Sequence, residues 1–131
     1  MITLAEARAW IEAYGAAWMA RDPAQIVELF TAEASYRERR FRRPIKSRQA
    51  IRDYWQVLVR EQQRDVVFKA EQIMVDGDQA FVHWTSQFLW RPINGIMELD
   101  AVARVTFGDE RNAAGLRPAS AFEEWIENRD G

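Results

Sequence analysis

The sequence contains no cysteine, which removes disulfides, thiolate metal sites and a cysteine nucleophile from consideration. Histidine occurs once, as His83, and no histidine–carboxylate spacing points to a metal. No glycine-rich loop is present to cradle a nucleotide, and nothing in the chain calls for an organic cofactor. Apolar runs fall short of the roughly 20 residues that cross a bilayer, and no basic-then-apolar leader opens the chain, so no membrane partner and a cytoplasmic location are expected. Charge of one sign is also lacking: 18 Lys and Arg against 20 Asp and Glu leave a net charge of −2, with no general pull toward nucleic acid.

What is present is aromatic bulk. Six tryptophans and seven phenylalanines occur in 131 residues, enough to fill one core and to line an apolar cavity as well. Linkers, repeats and low-complexity segments are missing, so residues 1–131 read as a single domain.

Thr3 and Glu6 have the spacing of a capping box. Leu4, Ala7, Ile11, Tyr14 and Trp18 then follow at helical steps, one stripe of an amphipathic helix. Asp22-Pro23 starts a second, short helix through Ile26, Val27, Leu29 and Phe30. A short strand is expected over Ala34–Arg39. Ser47 caps a third helix with the stripe Ile51, Tyr54, Trp55, Leu58 and Val59. Beyond it the period changes to that of strands: Val66–Val75, a turn at Asp76-Gly77-Asp78, Gln79–Arg91, a turn at Asn94-Gly95, Ile96–Phe107 and Ala119–Ile126. Helices gathered early and strands gathered late predict an α+β fold with the helices on one face of a mainly antiparallel sheet. The Gln79–Arg91 strand would reach about 40 Å if straight, so it must twist and curl, and a strongly curved sheet roofed by three helices makes a cone with an internal pocket.

The block Tyr14–Asp22, continued by Ile26–Phe30, by Ala32–Tyr36 and by Ala50–Trp55, resembles the nuclear transport factor 2-like superfamily over nearly the whole chain. It is most similar to the SnoaL-like group, whose acidic-aromatic ending is visible as Glu123-Glu124-Trp125. The resemblance implies the cystatin-like cone and a homodimer formed through the outer face of the sheet. In the register of the ketosteroid isomerases, Tyr14 takes the place of the tyrosine that donates to the enolate oxygen. Glu38 takes the place of the carboxylate that shuttles the proton. The protonated aspartate of that family falls close to Ala103, which offers no donor, and Asp100 lies on the opposite face of the strand. Ser35-Tyr36-Arg37 and Phe81-Val82-His83-Trp84 also resemble scytalone dehydratase, which implies roles for Tyr36 and His83 in the cavity, although the helix-borne pair of that enzyme falls near Trp18 and Met19.

Strand alternation divides Gln79–Arg91 into two faces. Phe81, His83, Thr85 and Gln87 share one, and Val82, Trp84, Phe88 and Trp90 the other. The isomerase register favours the first as the pocket lining, with Trp84, Phe88 and Trp90 then forming an apolar dimer face. The candidate catalytic residues are therefore Glu38, His83 and Tyr36. Tyr14, Trp18, Trp55, Phe68, Thr85 and Gln87 are the candidate ligand-binding residues. Arg37 to Arg52 holds eight of the 18 basic residues, a lip able to attract an anion or merely a solvated loop. Two functional readings follow. The first is a small-molecule pocket protein, an acid–base lyase or isomerase on a small apolar or cyclic substrate. The second is a non-catalytic ligand-binding or dimerisation module.

Overall fold

A computed structural model describes residues 1–130. The first helix, α1 (Leu4–Met19), opens with the capping box read from the sequence: the Thr3 hydroxyl accepts from the Glu6 amide and the Glu6 carboxylate accepts from the Thr3 amide. Its buried stripe includes Trp10, Ile11, Tyr14 and Trp18, whereas Leu4 is 46% exposed. Helix α2 (Pro23–Val27) is capped by Asp22, whose side chain accepts from the Ala24 amide. It is shorter than expected. Leu29 and Phe30 lie beyond it, because Phe30 already pairs with Ala119 and begins strand β1 (Phe30–Arg37).

A two-residue strand, β2 (Ile45–Lys46), returns antiparallel to β1 and had no sequence signal. Ser47 caps α3 (Arg48–Trp55), which runs on into a π-helical turn at Gln56–Arg60. The remaining strands are β3 (Gln63–Asp76), β4 (Gln79–Trp90), β5 (Gly95–Phe107) and β6 (Ala119–Asp130). They form the expected antiparallel meander. The sheet order is β2-β1-β6-β5-β4-β3, with β1 parallel to β6. Register shifts at Arg64/Val67 and Ala70/Gln72 in β3 mark bulges, which bend a strand and increase its twist. The six-stranded sheet thus curves beneath the helices, the α+β cone anticipated from the long strands. Among the described residues no helix is long and apolar enough to cross a membrane.

The interior is a continuous aromatic column. Trp10, Tyr14 and Trp18 recur every four residues on α1, with ring centroids 5.4 Å and 6.2 Å apart. Tyr14 stacks on Phe122 of β6 at 5.2 Å, and Phe122 stacks on Tyr36 of β1 at 5.1 Å. Trp18 meets Trp55 of α3 and Trp84 of β4 edge-on. Val82, Trp84 and Phe88 are buried, so this face of β4, not the one carrying His83, turns inward. That corrects both the preferred pocket lining and the expected dimer face. Burying two large aromatics and a valine outweighs burying Phe81, His83 and Thr85, and the register follows the larger apolar area.

Gly15 marks the closest approach of α1 to the sheet. A Cβ there would stand 2.4 Å from Cδ1 of Phe68. Alanine is the better helix former by about 1 kcal/mol, but overpacking costs about 1–3 kcal/mol, and the Phe68 ring is held against Tyr14, Trp18 and Trp84. Steric cost wins. Gly15→Ala lowers the midpoint of urea unfolding, and adding Phe68→Leu recovers part of the loss; a Gly15→Ala protein at least as stable as its parent would show that Phe68 has room to move.

Candidate functional site

Between the aromatic column and the mouth of the cone lies a cavity of about 330 Å³. Trp18, Trp55, Trp84, Phe88 and Trp90 contribute to its apolar wall. Its polar groups are concentrated at one side, where β1 ends and β6 passes. Glu38 is the first residue beyond β1, so its side chain stays on the inward face of Tyr36, two residues earlier. The Tyr36 hydroxyl donates to Oε2 of Glu38 at 2.9 Å, and the Tyr54 hydroxyl of α3 donates to Oε1. One carboxylate is thereby held at both oxygens by phenols from different elements.

Burial raises the pKa of Glu38; the hydrogen bonds from Tyr54 and Tyr36 and the nearby Arg39 charge oppose that rise without cancelling it. The Tyr36 and Tyr54 phenols are pushed up as well, by burial first and then by the negative charge of Glu38. Tyr14 is fully buried with its hydroxyl next to that of Tyr36, and burial followed by the charge of Glu124 raises it.

Glu124 is the buried cavity carboxyl that sequence reasoning passed over. It is 1% exposed, lines the cavity, and faces inward with Phe122 and Ile126. No arginine or hydroxyl is bonded to it among the described residues. Burial, then repulsion from Glu38, drives its pKa well above the usual carboxylate range. Its backbone partner on β5 is Ala103, the position at which the isomerase resemblance asked for a protonated acid. A buried carboxyl stands one strand over. A lone carboxylate in the buried phase of an alternating strand was the available signal.

Of the candidates read from the sequence, Tyr14, Trp18, Tyr36, Glu38 and Trp55 line this cavity. Phe68 packs behind it, against Tyr14, Trp18 and Trp84. His83, Thr85 and Gln87 are on the other side of the sheet. His83 Nε2 lies 2.7 Å from Asp100 Oδ1, in an ion pair when the ring is protonated, and Thr85 and Gln87 border an open groove there with Glu98 and Asp100. The convergence of His83 with Glu38 and Tyr36 is therefore corrected: their side chains leave the sheet in opposite directions. Tyr54 and Arg39 complete the polar side instead. Among the described residues no cluster of His, Asp or Glu could hold a metal ion.

A family model described as a SnoaL-like domain matches residues 8–117. No curated protein sequence matches the chain. Solved structures do. A putative scytalone dehydratase from Novosphingobium aromaticivorans DSM 12444 superposes with a TM-score of 0.84 at 11% identity, covering 98% of this chain and 87% of that one. A hexachlorocyclohexane dehydrochlorinase (LinA) Type2 gives 0.81 at 8% identity, over 97% and 87% of the two chains. A hypothetical protein with a ketosteroid isomerase-like fold from Catenulispora acidiphila DSM 44928, in complex with trimethylamine, gives 0.74 at 13% identity, over 88% and 83%. At these identities the likeness is one of fold.

The raised carboxyls make stability fall with pH. Between the unfolded value near 4.5 and the higher folded value, the native state binds more protons than the unfolded one, so the slope of unfolding free energy against pH is negative. Glu124→Gln removes one such group without changing shape. The variant unfolds at higher urea than the parent at pH 7–8 and at the same urea near pH 4; parallel stability curves across that range would show that Glu124 ionises in the native state as readily as in the unfolded one.

Proposed function

The chain belongs to the SnoaL-like domain family, and from that premise we propose that its cavity carries out acid–base chemistry on a small cyclic carbonyl compound, as an isomerase or lyase. The observation that supports this reading is the pair of buried carboxyls with different surroundings. Glu38 accepts two phenolic hydrogen bonds, which favour its charged form; Glu124 accepts none and is repelled by Glu38. Groups in one site whose environments separate their protonation divide the labour of proton transfer. Glu38 takes a proton from the carbon next to a carbonyl, and the electron pair moves onto the oxygen as an enolate. Neutral Glu124 donates to that oxygen, where the negative charge develops. In a β,γ-unsaturated ketone the proton then returns at the γ-carbon as the double bond moves into conjugation, or a β-substituent departs with its bonding pair. Tyr36 and Tyr54 hold the base in place, and the tryptophans exclude water, which strengthens each of these interactions.

The test is hydrogen exchange at carbon. A panel of enolisable cyclic ketones is incubated with the protein in deuterium oxide, and loss of the proton signal next to the carbonyl is followed by NMR. Exchange faster than buffer is expected for at least one ketone, with Glu38→Gln slowing it by about 10²–10⁴-fold, the usual contribution of a positioned base. Exchange that never exceeds buffer, or that survives Glu38→Gln, removes the acid–base reading and leaves a ligand-binding module.

The homodimer suggested by the superfamily resemblance is proposed here on a different set of residues. The outer face of the sheet exposes Val67 (58%), Met74 (59%), Val102 (41%) and Trp125 (42%), while Trp84, Phe88 and Trp90 face the cavity. A second copy covering that face would remove this apolar area from water. Val102→Lys, at the centre of the face beside His83 and Trp125, converts dimer to monomer in sedimentation velocity; a parent that is already monomeric at tens of micromolar ends the proposal.

A further inference from the structure

Two sets of groups around the cavity have no partner, and they differ in kind. Arg39 and Arg42 line the cavity, and the Arg42 amide donates to the Arg39 carbonyl at 3.2 Å, closing a turn. The Cα atoms of the first and last residues of such a turn stand within about 7 Å of one another, so both guanidiniums can reach one group at the mouth. Neither makes a hydrogen bond or an ion pair through its side chain among the described residues. The contrast with the intervening arginine is informative. Arg40 is committed to Glu123 at 2.5 Å and lies 4.6 Å from the Trp125 ring centroid, which fastens the turn to β6. With Arg40 engaged, the turn leaves Arg39 and Arg42 without a hydrogen-bonded partner, Arg39 acting on the buried carboxyls only through its charge.

The second set is inside. Trp18 donates its indole N–H to Gln63 Oε1 at 2.7 Å. The indole nitrogens of Trp55 and Trp84 are buried with no acceptor at all, although both side chains line the cavity and are 2% and 1% exposed. Buried donors are rarely left unmet in proteins. Each nitrogen is shielded from the cavity in this arrangement, and a turn of either indole would present it to a ligand oxygen there.

Building on the acid–base reading of this cavity, we propose that its ligand is an oxygenated ring compound bearing a carboxylate. The carboxylate is held by Arg39 and Arg42, whose planar guanidiniums match its two oxygens, and the ring lies against the tryptophans with its oxygen toward the indole of Trp55 or Trp84. About 330 Å³ is at the small end of ligand pockets, so one or two fused rings are the fitting size. An anion near Glu38 also raises the affinity of that carboxyl for its proton, which strengthens it as a base.

The probes are hydroxynaphthoate and hydroxynaphthamide, alike in shape and different in charge. Titration calorimetry at low ionic strength is expected to show the acid binding at least tenfold more tightly than the amide. The preference disappears in the Arg39→Gln/Arg42→Gln double variant, which binds acid and amide alike. In nitrogen–proton NMR spectra, the indole signal of Trp55 or Trp84, assigned through Trp55→Phe and Trp84→Phe, moves downfield on binding of the acid. Equal binding of acid and amide overturns the carboxylate proposal and leaves the cavity reading standing. Failure of both to bind at millimolar concentration overturns the two together. A preference that survives the double variant removes Arg39 and Arg42 from the site, and unmoved indole signals remove the interior contact.

Discussion

The molecule is organised by the alternation of its central strands, which commits one face of β4, β5 and β6 to aromatic and aliphatic burial under α1. Val82, Trp84 and Phe88 on β4, Ala101, Ala103 and Val105 on β5, and Phe122 on β6 all fall in one phase and are buried. A shift of one residue in any of these strands would exchange this set for His83, Arg104 and Glu123. The long strands are therefore pinned in register along their length. Everything inside the cone, including two carboxyls that gain nothing from burial themselves, is placed by that commitment.

Glu124 illustrates the consequence. Phe122 must be buried because it stacks between Tyr14 and Tyr36, and the period of two then carries Glu124 inward and Trp125 outward. On hydrophobicity alone the two neighbours would exchange faces. The chain tolerates the inversion because Trp125 is partly covered by Arg40 and Arg104, and because a carboxyl in an apolar site escapes most of the cost of burial by keeping its proton. Glu38 solves the same problem differently, with two phenols that replace the water its carboxylate would otherwise bind. One fold thus holds a hydrogen-bonded acid and a bare one side by side.

Architecture was legible in the sequence to the extent that it depends on periodicity and caps. The Thr3–Glu6 box, Asp22-Pro23, Ser47 and the long alternating strands gave the helix starts, the meander and the curvature. Half of the site was legible as well, since Tyr36 and Glu38 differ by two residues at a strand end and so share a face whatever the register. The sequence could not decide which face of β4 is inside, because each face carries both aromatic and polar residues. His83 drew attention as the single histidine, and a resemblance between families tipped the choice the wrong way. Packing decided it through the area of Trp84 and Phe88. Tyr54 was read as part of an apolar stripe, and its hydroxyl became meaningful once α3 was placed over Glu38. Arg39 and Arg42 looked like two charges in a solvated loop until the turn between them was fixed by Arg40.

The dryness that raises the pKa of Glu38 also limits how much charge the cavity can hold. Ionising Glu38 disfavours ionisation of Glu124, and the surrounding indoles screen neither. A second negative charge inside the cone therefore needs positive charge close by. Arg39 already acts on both carboxyls, and it does so from the mouth, where its own guanidinium remains hydrated. Under the proposed acid–base function, the arrangement separates two tasks in space: proton transfer in the apolar interior, and charge neutralisation at the solvent edge. A substrate whose anionic group stays at the edge while its reactive carbon lies beside Glu38 meets both conditions, whereas one with its charge at the buried end meets neither. The position of the arginines, more than their number, is what gives the cavity a direction.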